Sequence, residues 1–352
     1  MDNETIDFMQ EMVSTPSPSG GESEVIDRWI SRMEPAIDKR WQDDYGNTVV
    51  TSNPGKDYTV GMFVHLDEVG YMVRHIAEDG SIYVQRLGGI NPNIARGKRV
   101  TVHGRDGPVK GVFGDRSFHY VVKDDDQSSP SISDIWIDVG AEGRSSAEAA
   151  GIHVGAPVTH DVGFDRLQDG RVVGRALDNK AGATAVAEAM RSLDVNDTTV
   201  HAVATVQEEI QHGGMKFFQH DLQLNAALVV DVTFGTDTPA IDRREHGDIR
   251  LGEGPVCRHG RENHPTVVRN LERAAEERGV PIQHEPVDTK GGERRTVYET
   301  TDGAYLAAKT GVKTGFVGIP CRYIHSPGEI VDLGDVDATI DLLRAAVELL
   351  SE

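Results

Sequence analysis

The sequence predicts an α/β fold interrupted by a small β-rich insert, and two observations carry that expectation. Apolar runs of strand length alternate with helical patterns over most of the chain, which argues for a sheet flanked by helices. Between about residues 70 and 163 the pattern changes to short alternating segments divided by glycine-containing turns, as in a compact β domain. The expected division is one discontinuous domain, residues 1–69 and 164–352, with residues 70–163 inserted into it.

Taken in order, the chain opens with two helical stripes, Ile6, Met9 and Val13 followed by Val25, Trp29 and Met33. The breaker Thr15-Pro-Ser-Pro-Ser-Gly-Gly21 separates them. Strand-like runs follow at Tyr58–Val64, Thr199–Val206, Ala226–Val230 and Thr314–Ile319. Helical patterns lie at the alanine-rich Ala181–Leu193, at Pro265–Arg278 and at the closing Val336–Leu350. Within the insert the alternating segments are Ile82–Leu87, Arg99–His103, Val109–Phe113 and Ile135–Val139, with one short helix at Ser146–Ala150. The polar stretch Lys123–Pro130 reads as a loop, and no internal repeat is present.

Composition narrows the function classes. At 352 residues the chain is long enough to bury a substantial core. Its 57 Asp and Glu against 36 Lys and Arg give a formal net charge of −21, a field that repels nucleic acid and anionic membranes. The acid is spread along the chain, which argues against an acidic interaction tail. A charge of this size points to a cytoplasm of high salt where screening relieves self-repulsion; unchanged fold and activity after dialysis into low salt would contradict this. No apolar h-region or run of roughly 20 apolar residues occurs, so a cytoplasmic location without membrane contact is expected. Two cysteines, Cys257 and Cys321, make neither a disulfide framework nor a cysteine-rich zinc site.

Five segments carry candidate chemistry. The run Gly61-Met-Phe-Val-His-Leu-Asp67 ends a strand pattern on His65, with Asp67 two positions on. Arg175-Ala-Leu-Asp-Asn-Lys180 sets Asp178 at the mouth of the alanine-rich helix, and Thr199–Val206 runs into Gln207-Glu-Glu209. Ala226–Val230 runs into Asp231-Val-Thr233, and Ile319-Pro-Cys-Arg-Tyr-Ile-His-Ser326 leaves His325 on a loop past a strand. Sites in open α/β sheets lie outside the carboxyl ends of the strands, so these groups could converge. Imidazoles and carboxylates without thiolate suit Zn²⁺, Co²⁺ or Mn²⁺. Two histidines and three carboxylates exceed one tetrahedral catalytic zinc and suit two ions sharing a bridging carboxylate and a water. Taken singly each is bland: a strand-end histidine, a helix cap, a solvated glutamate turn. Only the five in order are specific, and Asp67 adds a carboxylate of the kind that orients a ligand imidazole.

Together these residues resemble the M42 family of metallo-aminopeptidases, the tetrahedral, deblocking or glutamyl aminopeptidase group. The resemblance covers nearly the whole chain. Val64-His-Leu-Asp-Glu-Val-Gly70 implies His65 as a metal ligand and Asp67 as its orienting acid. Leu177-Asp-Asn-Lys180 implies a bridging Asp178 followed by a cis peptide, and the glutamate pair implies Glu208 as base and Glu209 as ligand. Asp231 and, within Arg322-Tyr-Ile-His-Ser-Pro327, His325 complete the implied ligands. Gly88-Gly-Ile90, Leu251-Gly-Glu-Gly-Pro255 and Thr301-Asp302 are supporting matches. The resemblance implies a mixed-sheet zinc-peptidase domain with a PDZ-like or β-barrel-like insert. It further implies two divalent ions, Zn²⁺ with Co²⁺ or Mn²⁺ as alternatives, and a homo-oligomer, a dodecamer built from dimers through the insert. The expected reaction is removal of N-terminal residues from peptides by a metal-bridging water that Glu208 deprotonates.

The 110 residues between Asp67 and Asp178 hold the insert, which separates this pattern from M20 deacylases, where the extra domain falls after the fourth ligand. M18 aminopeptidases carry an insert here but usually in longer chains. A glycosidase such as an endoglucanase would give the two histidines no role, its carboxyls sitting about 5–9.5 Å apart across a sugar. An inactive peptide-binding scaffold is at odds with a full ligand set and base. Two departures from the family stand out. Ile210-Gln-His-Gly-Gly214 replaces a Gly-Leu-Arg-Gly-like run, and His212 is read first as a surface substitution and second as a partner of the site. Residues Gly291 to Asp302 lengthen a compact Gly-Gly-Thr-Asp motif.

Overall fold

A computed structural model of the chain describes residues 1–115, 131–218, 222–260, 262–286 and 301–350. Lys123–Pro130 and most of the lengthened 291–302 segment lie outside the described residues.

The amphipathic stripes become helices α1 (Asn3–Ser14) and α2 (Ser23–Met33), which bury Met9, Met12, Val13, Val25, Trp29 and Met33. Asp2 caps α1 by accepting from the Thr5 amide, one of the donors a helix start leaves unpaired. Next come β1 (Lys39–Gln42) and β2 (Thr48–Ser52), an antiparallel pair, and then β3 (Tyr58–His65). After β3 the chain enters the insert: β4 (Gly70–Ile76), β5 (Ile82–Leu87), β6 (Arg99–Gly104), β7 (Gly107–Phe113), β8 (Trp136–Asp138), helix α3 (Arg144–Ala149) and β9 (Pro157–His160). These strands close a barrel in the order β4-β5-β8-β7-β6-β9, every neighbour antiparallel. Period-two alternation turns Tyr71, Val73, Val84, Val100, Val102, Ile137 and Val158 inward. Of the two insert architectures expected, the barrel is the one formed.

The chain then returns to the main sheet through β10 (Asp165–Arg166), β11 (Arg171–Gly174), helix α4 (Leu177–Ser192), β12 (Thr198–Thr205), α5 (Gly213–Phe217) and β13 (Ala226–Phe234). Helix α6 (Arg243–His246), β14 (Val256–His259), α7 (Pro265–Arg278), β15 (Gln283–Pro286), α8 (Asp302–Thr310), β16 (Lys313–Arg322), β17 (Glu329–Asp332) and α9 (Leu333–Leu350) complete it. Along its main path the sheet runs β1-β2-β12-β3-β13-β16-β17-β11-β10, with β14 and β15 attached beside β16. Its centre, β12-β3-β13-β16, is parallel.

Both faces of that centre are covered, as a parallel sheet requires. Met62, Val64, Ala202, Ala204, Leu228 and Val230 face α4 and its neighbours, whereas Phe63, Val203, Ala227 and Val229 face the layer of Met215, Phe218 and Leu306. Helix α4 is buried almost all round, which explains its alanines: small side chains let it lie between the sheet and α1, α2 and α9. Helix α7 carries its own stop signals. His264 caps its first turn with Pro265 behind it, and Gly279 ends it at a φ of 66°, a left-handed value that glycine adopts without strain. Its buried Leu271 contributes about 2–5 kcal/mol, the usual loss on truncation to alanine. Among the described residues no helix is long and apolar enough to cross a membrane.

Candidate metal and catalytic centre

Four of the five segments do reach one edge of the sheet. His65 is the last residue of β3 and sits beside Thr205, the last of β12, from which the chain continues to Glu208 and Glu209. His325 lies three residues past β16, on a loop where it and Tyr323 both have positive φ. Asp231 differs from the sequence expectation. Strand β13 runs on to Phe234, so Asp231 lies inside it, paired with Gly318 of β16. Because strand side chains alternate, its carboxyl still leaves the sheet on the face shared with His65. Asp178 sits in the first turn of α4, where Asp178 and Asn179 break helical geometry and the Asp178–Asn179 peptide is cis.

The five groups converge. His65 Nε2 is 3.2 Å from Asp178 Oδ1 and 3.4 Å from Asp231 Oδ1. His325 Nε2 is 3.0 Å from Glu209 Oε2 and 3.4 Å from Asp178 Oδ2. The two oxygens of Asp178 thus face different histidines. His65, Asp178 and Glu209 offer one donor atom each within 4.8 Å of one another. Glu209 Oε1 is buried without a hydrogen-bond partner, and His65 Nδ1 is 3.3 Å from Asp67 Oδ1 without making a hydrogen bond.

Electrostatics describe a site short of positive charge. Burial works against charge on His65, but Asp231, Asp178 and Asp67 outweigh it and raise the imidazole well above its ordinary range. His325 is pushed the same way, to about 12, against burial, by Glu209 and Asp178. Burial would raise Asp178, yet His325 and His65 hold it below the usual carboxylate range. Glu209 rises to about 7, through burial first and the Asp178 charge second. Buried carboxylates in excess of imidazoles, one with an oxygen left over, fit a divalent cation; a cation among them would lower every one of these carboxyls.

The supporting residues explain how the centre is held, and several were not foreseen. Asp67 is fully buried: Oδ1 accepts from the Glu208 amide at 2.9 Å, and Oδ2 from the Glu209 amide at 3.1 Å and from Ser19 Oγ at 2.6 Å. It therefore orders the whole glutamate turn as well as lying against His65. The Thr15–Gly21 breaker is a wall of the site: Ser17 donates to Leu66 O and Glu68 Oε1, and Lys180 Nζ donates to Ser17 Oγ and Leu66 O. Glu329, at the start of β17, accepts from the amides of Asp178 at 3.0 Å and His325 at 2.8 Å. Nothing in its local sequence marks it.

His212 corrects the surface reading. It is 7% exposed, and its Nδ1 is 2.8 Å from Glu208 Oε1 and 3.3 Å from Asp302 Oδ1. Asp302, one of the supporting matches, also accepts from Thr205 Oγ1. Burial raises Glu208 to about 8, with Asp302 and Glu209 adding to the rise and His212 opposing it. Because its left-handed backbone follows directly on the glutamate turn, His212 curls back over Glu208.

Fold and donor set together define an α/β protein with a carboxylate–imidazole centre suited to divalent metal at the carboxyl edge of its parallel strands. The chain belongs to the M42 glutamyl aminopeptidase family, whose model matches residues 46–342. The lysyl aminopeptidase of Pyrococcus furiosus is 30% identical to it over 98% of this chain and 97% of its own length. Among solved structures, aminopeptidase APDkam598 from the archaeon Desulfurococcus kamchatkensis superposes with a TM-score of 0.88 at 32% identity, covering 98% of this chain and 94% of that one. The Pyrococcus horikoshii TET1 peptidase, which can assemble into a tetrahedron or a large octahedral shell, gives 0.84 at 25% identity over 97% and 98%. The protein is an aminopeptidase, a hydrolase of peptide bonds, in a family that uses divalent metals.

Proposed function

We propose that this aminopeptidase works with two divalent ions, one held by His65, Asp178 and Asp231 and the other by Asp178, Glu209 and His325, with Glu208 as general base. The observation that carries this reading is Asp178, whose two oxygens turn to different histidines, as a bridging carboxylate needs. Zn²⁺ suits the donors best, and Co²⁺ or Mn²⁺ suit them next. Bound there, the ions would supply Lewis-acid chemistry, acidifying a water and polarising the scissile carbonyl.

The chain's own residues do the rest. Glu208 takes a proton from the attacking water and returns it to the leaving amine. His212 holds its carboxyl from behind and is itself held by Asp302, and Asp67 fixes the backbone of the glutamate pair. The substrate is a peptide with a free α-amino group, recognised at the centre so that only N-terminal residues are cut. Residues 1–69 and 164–352 form the catalytic domain. Residues 70–163 form the barrel domain, to which we assign the contacts that join copies into dimers and a dodecamer. That copies assemble at all is supported by the TET1 relative, which can form a tetrahedron or a large octahedral shell. A cytoplasm of high salt fits the net charge of −21.

A chelated sample, given back one metal species at a time and assayed on a panel of aminoacyl-p-nitroanilides, tests the proposal. Activity should vanish on chelation and should not return in full before two ions per chain are bound at this centre. Full activity at one ion, or in the chelated sample, contradicts it. The same panel reads the side-chain preference, for which the family description points to glutamyl substrates and the Pyrococcus furiosus relative to lysyl ones.

A further inference from the structure

A second cluster of metal-ligating side chains lies outside the centre described above. His259 ends β14, His284 lies on the neighbouring parallel strand β15, and Glu272 projects from α7 beside them. His259 Nε2 is 2.9 Å from His284 Nδ1. Glu272 Oε1 is 4.0 Å from the first nitrogen and 3.9 Å from the second. These three distances join the same three atoms, so they fix a triangle. The point equidistant from its corners is about 2.1 Å from each, within the range of about 2.0–2.2 Å for Zn–N and Zn–O bonds.

We propose that His259, Glu272 and His284 form an accessory binding site for one divalent transition ion, separate from the ions of the catalytic centre. Two imidazoles and one carboxylate select Zn²⁺, Cu²⁺, Ni²⁺ or Co²⁺ over Mg²⁺ and Ca²⁺, which take oxygen ligands. An ion near the plane of three donors keeps its remaining positions for water, and the half-exposed side chains leave room for it. Without metal, one ring donates to the other across their 2.9 Å contact; an ion would replace that hydrogen bond, the donor ring carrying its N–H on its other nitrogen instead. Because the donors come from two strands and a helix, occupancy ties the β14-β15 edge of the sheet to α7. Its expected consequence is structural, a gain in stability with added ion.

The test compares the wild-type enzyme with His259→Ala and His284→Ala, whose half-exposed side chains leave the fold intact by circular dichroism. Equilibrium dialysis against Zn²⁺ should show each variant holding one ion fewer per chain than wild type, with aminopeptidase kcat unchanged. Added Zn²⁺ in excess over the catalytic requirement should raise the melting temperature of wild type but not of the variants. Equal ion counts in all three proteins overturn the proposal, as does an equal thermal shift. Because the proposal does not rest on the catalytic assignment, a fault in that assignment changes the wild-type count and leaves the one-ion difference in place.

Discussion

Glu208→Gln isolates the proton-transfer role from everything else its side chain does. Glutamine has the same shape, and its carbonyl oxygen can still accept from His212 Nδ1, now 2.8 Å from Oε1. The Asp67 bond to the residue-208 amide, 2.9 Å long, does not depend on the side chain. None of the contacts that join His65, Asp178, Glu209, Asp231 and His325 passes through Glu208. The variant should therefore fold, keep its metals and lose only the ability to take a proton. A positioned general base contributes about 10²–10⁴-fold, equivalent to about 2.7–5.4 kcal/mol of barrier at 1.36 kcal/mol per decade. The assay is kcat and KM on the preferred aminoacyl-p-nitroanilide, with metal content measured by mass spectrometry on the same preparation. We expect kcat to fall in that range, KM to change little and the ion count to match wild type. A kcat within a few-fold of wild type refutes the reasoning, and so does loss of metal, which would make residue 208 a ligand.

Three further outcomes follow from the geometry. His212→Ala removes the donor on Glu208, and loss of a hydrogen bond to a charged group, about 1.5–3 kcal/mol, should lower kcat by roughly 10- to 150-fold with KM nearly constant; an unchanged kcat would return His212 to a bystander. Arg175→Met strips the buried partner from Glu68 Oε2, and breaking a buried pair costs about 3–5 kcal/mol. Urea unfolding should show that loss in the single variant and recovery of much of it in Glu68→Gln/Arg175→Met, whereas a loss below about 1 kcal/mol would mean the pair behaves like a surface one. His160, buried in the barrel against Tyr71 and Phe113, is lowered to about 4 by burial, with Lys98 and Arg175 assisting and Glu68 opposing. Its folded value lies below the unfolded one of about 6.5, so its stabilisation is full above 6.5 and declines as pH falls through about 4. That amounts to roughly 3 kcal/mol at 1.36 kcal/mol per unit; NMR titration of His160 near its ordinary value would contradict it.

Local pattern carried much of this protein. Stripes at helical spacing marked α1 and α2, and Pro265–Arg278 was legible to both ends because its cap, its proline and its glycine are local signals. Alternation marked the insert as β, and strand-end placement marked His65, Glu208, Glu209 and His325. Short or exposed strands were silent: β1 has no buried residue, and β10 is two residues long. Asp231 was placed just past the strand rather than inside it, because a carboxylate inside a buried strand is unfavourable until something pairs with it, and its partner, His65, is supplied by another strand.

The sequence by itself determined the element types, the donor chemistry and the order of the motifs, since these depend on neighbours a few residues away. Only the tertiary structure decided which groups meet. Glu329 reaches the amides of Asp178 and His325, Ser19 reaches Asp67, and Asp302 meets His212 and Thr205 across separations of 48 to 151 residues, apart from the short step from Glu329 to His325. Such contacts depend on strand register and on where each crossover returns the chain, and no local period encodes either. That is why the two-sided Asp178 and the buried His212 could be named from the sequence but given their surroundings only by the fold.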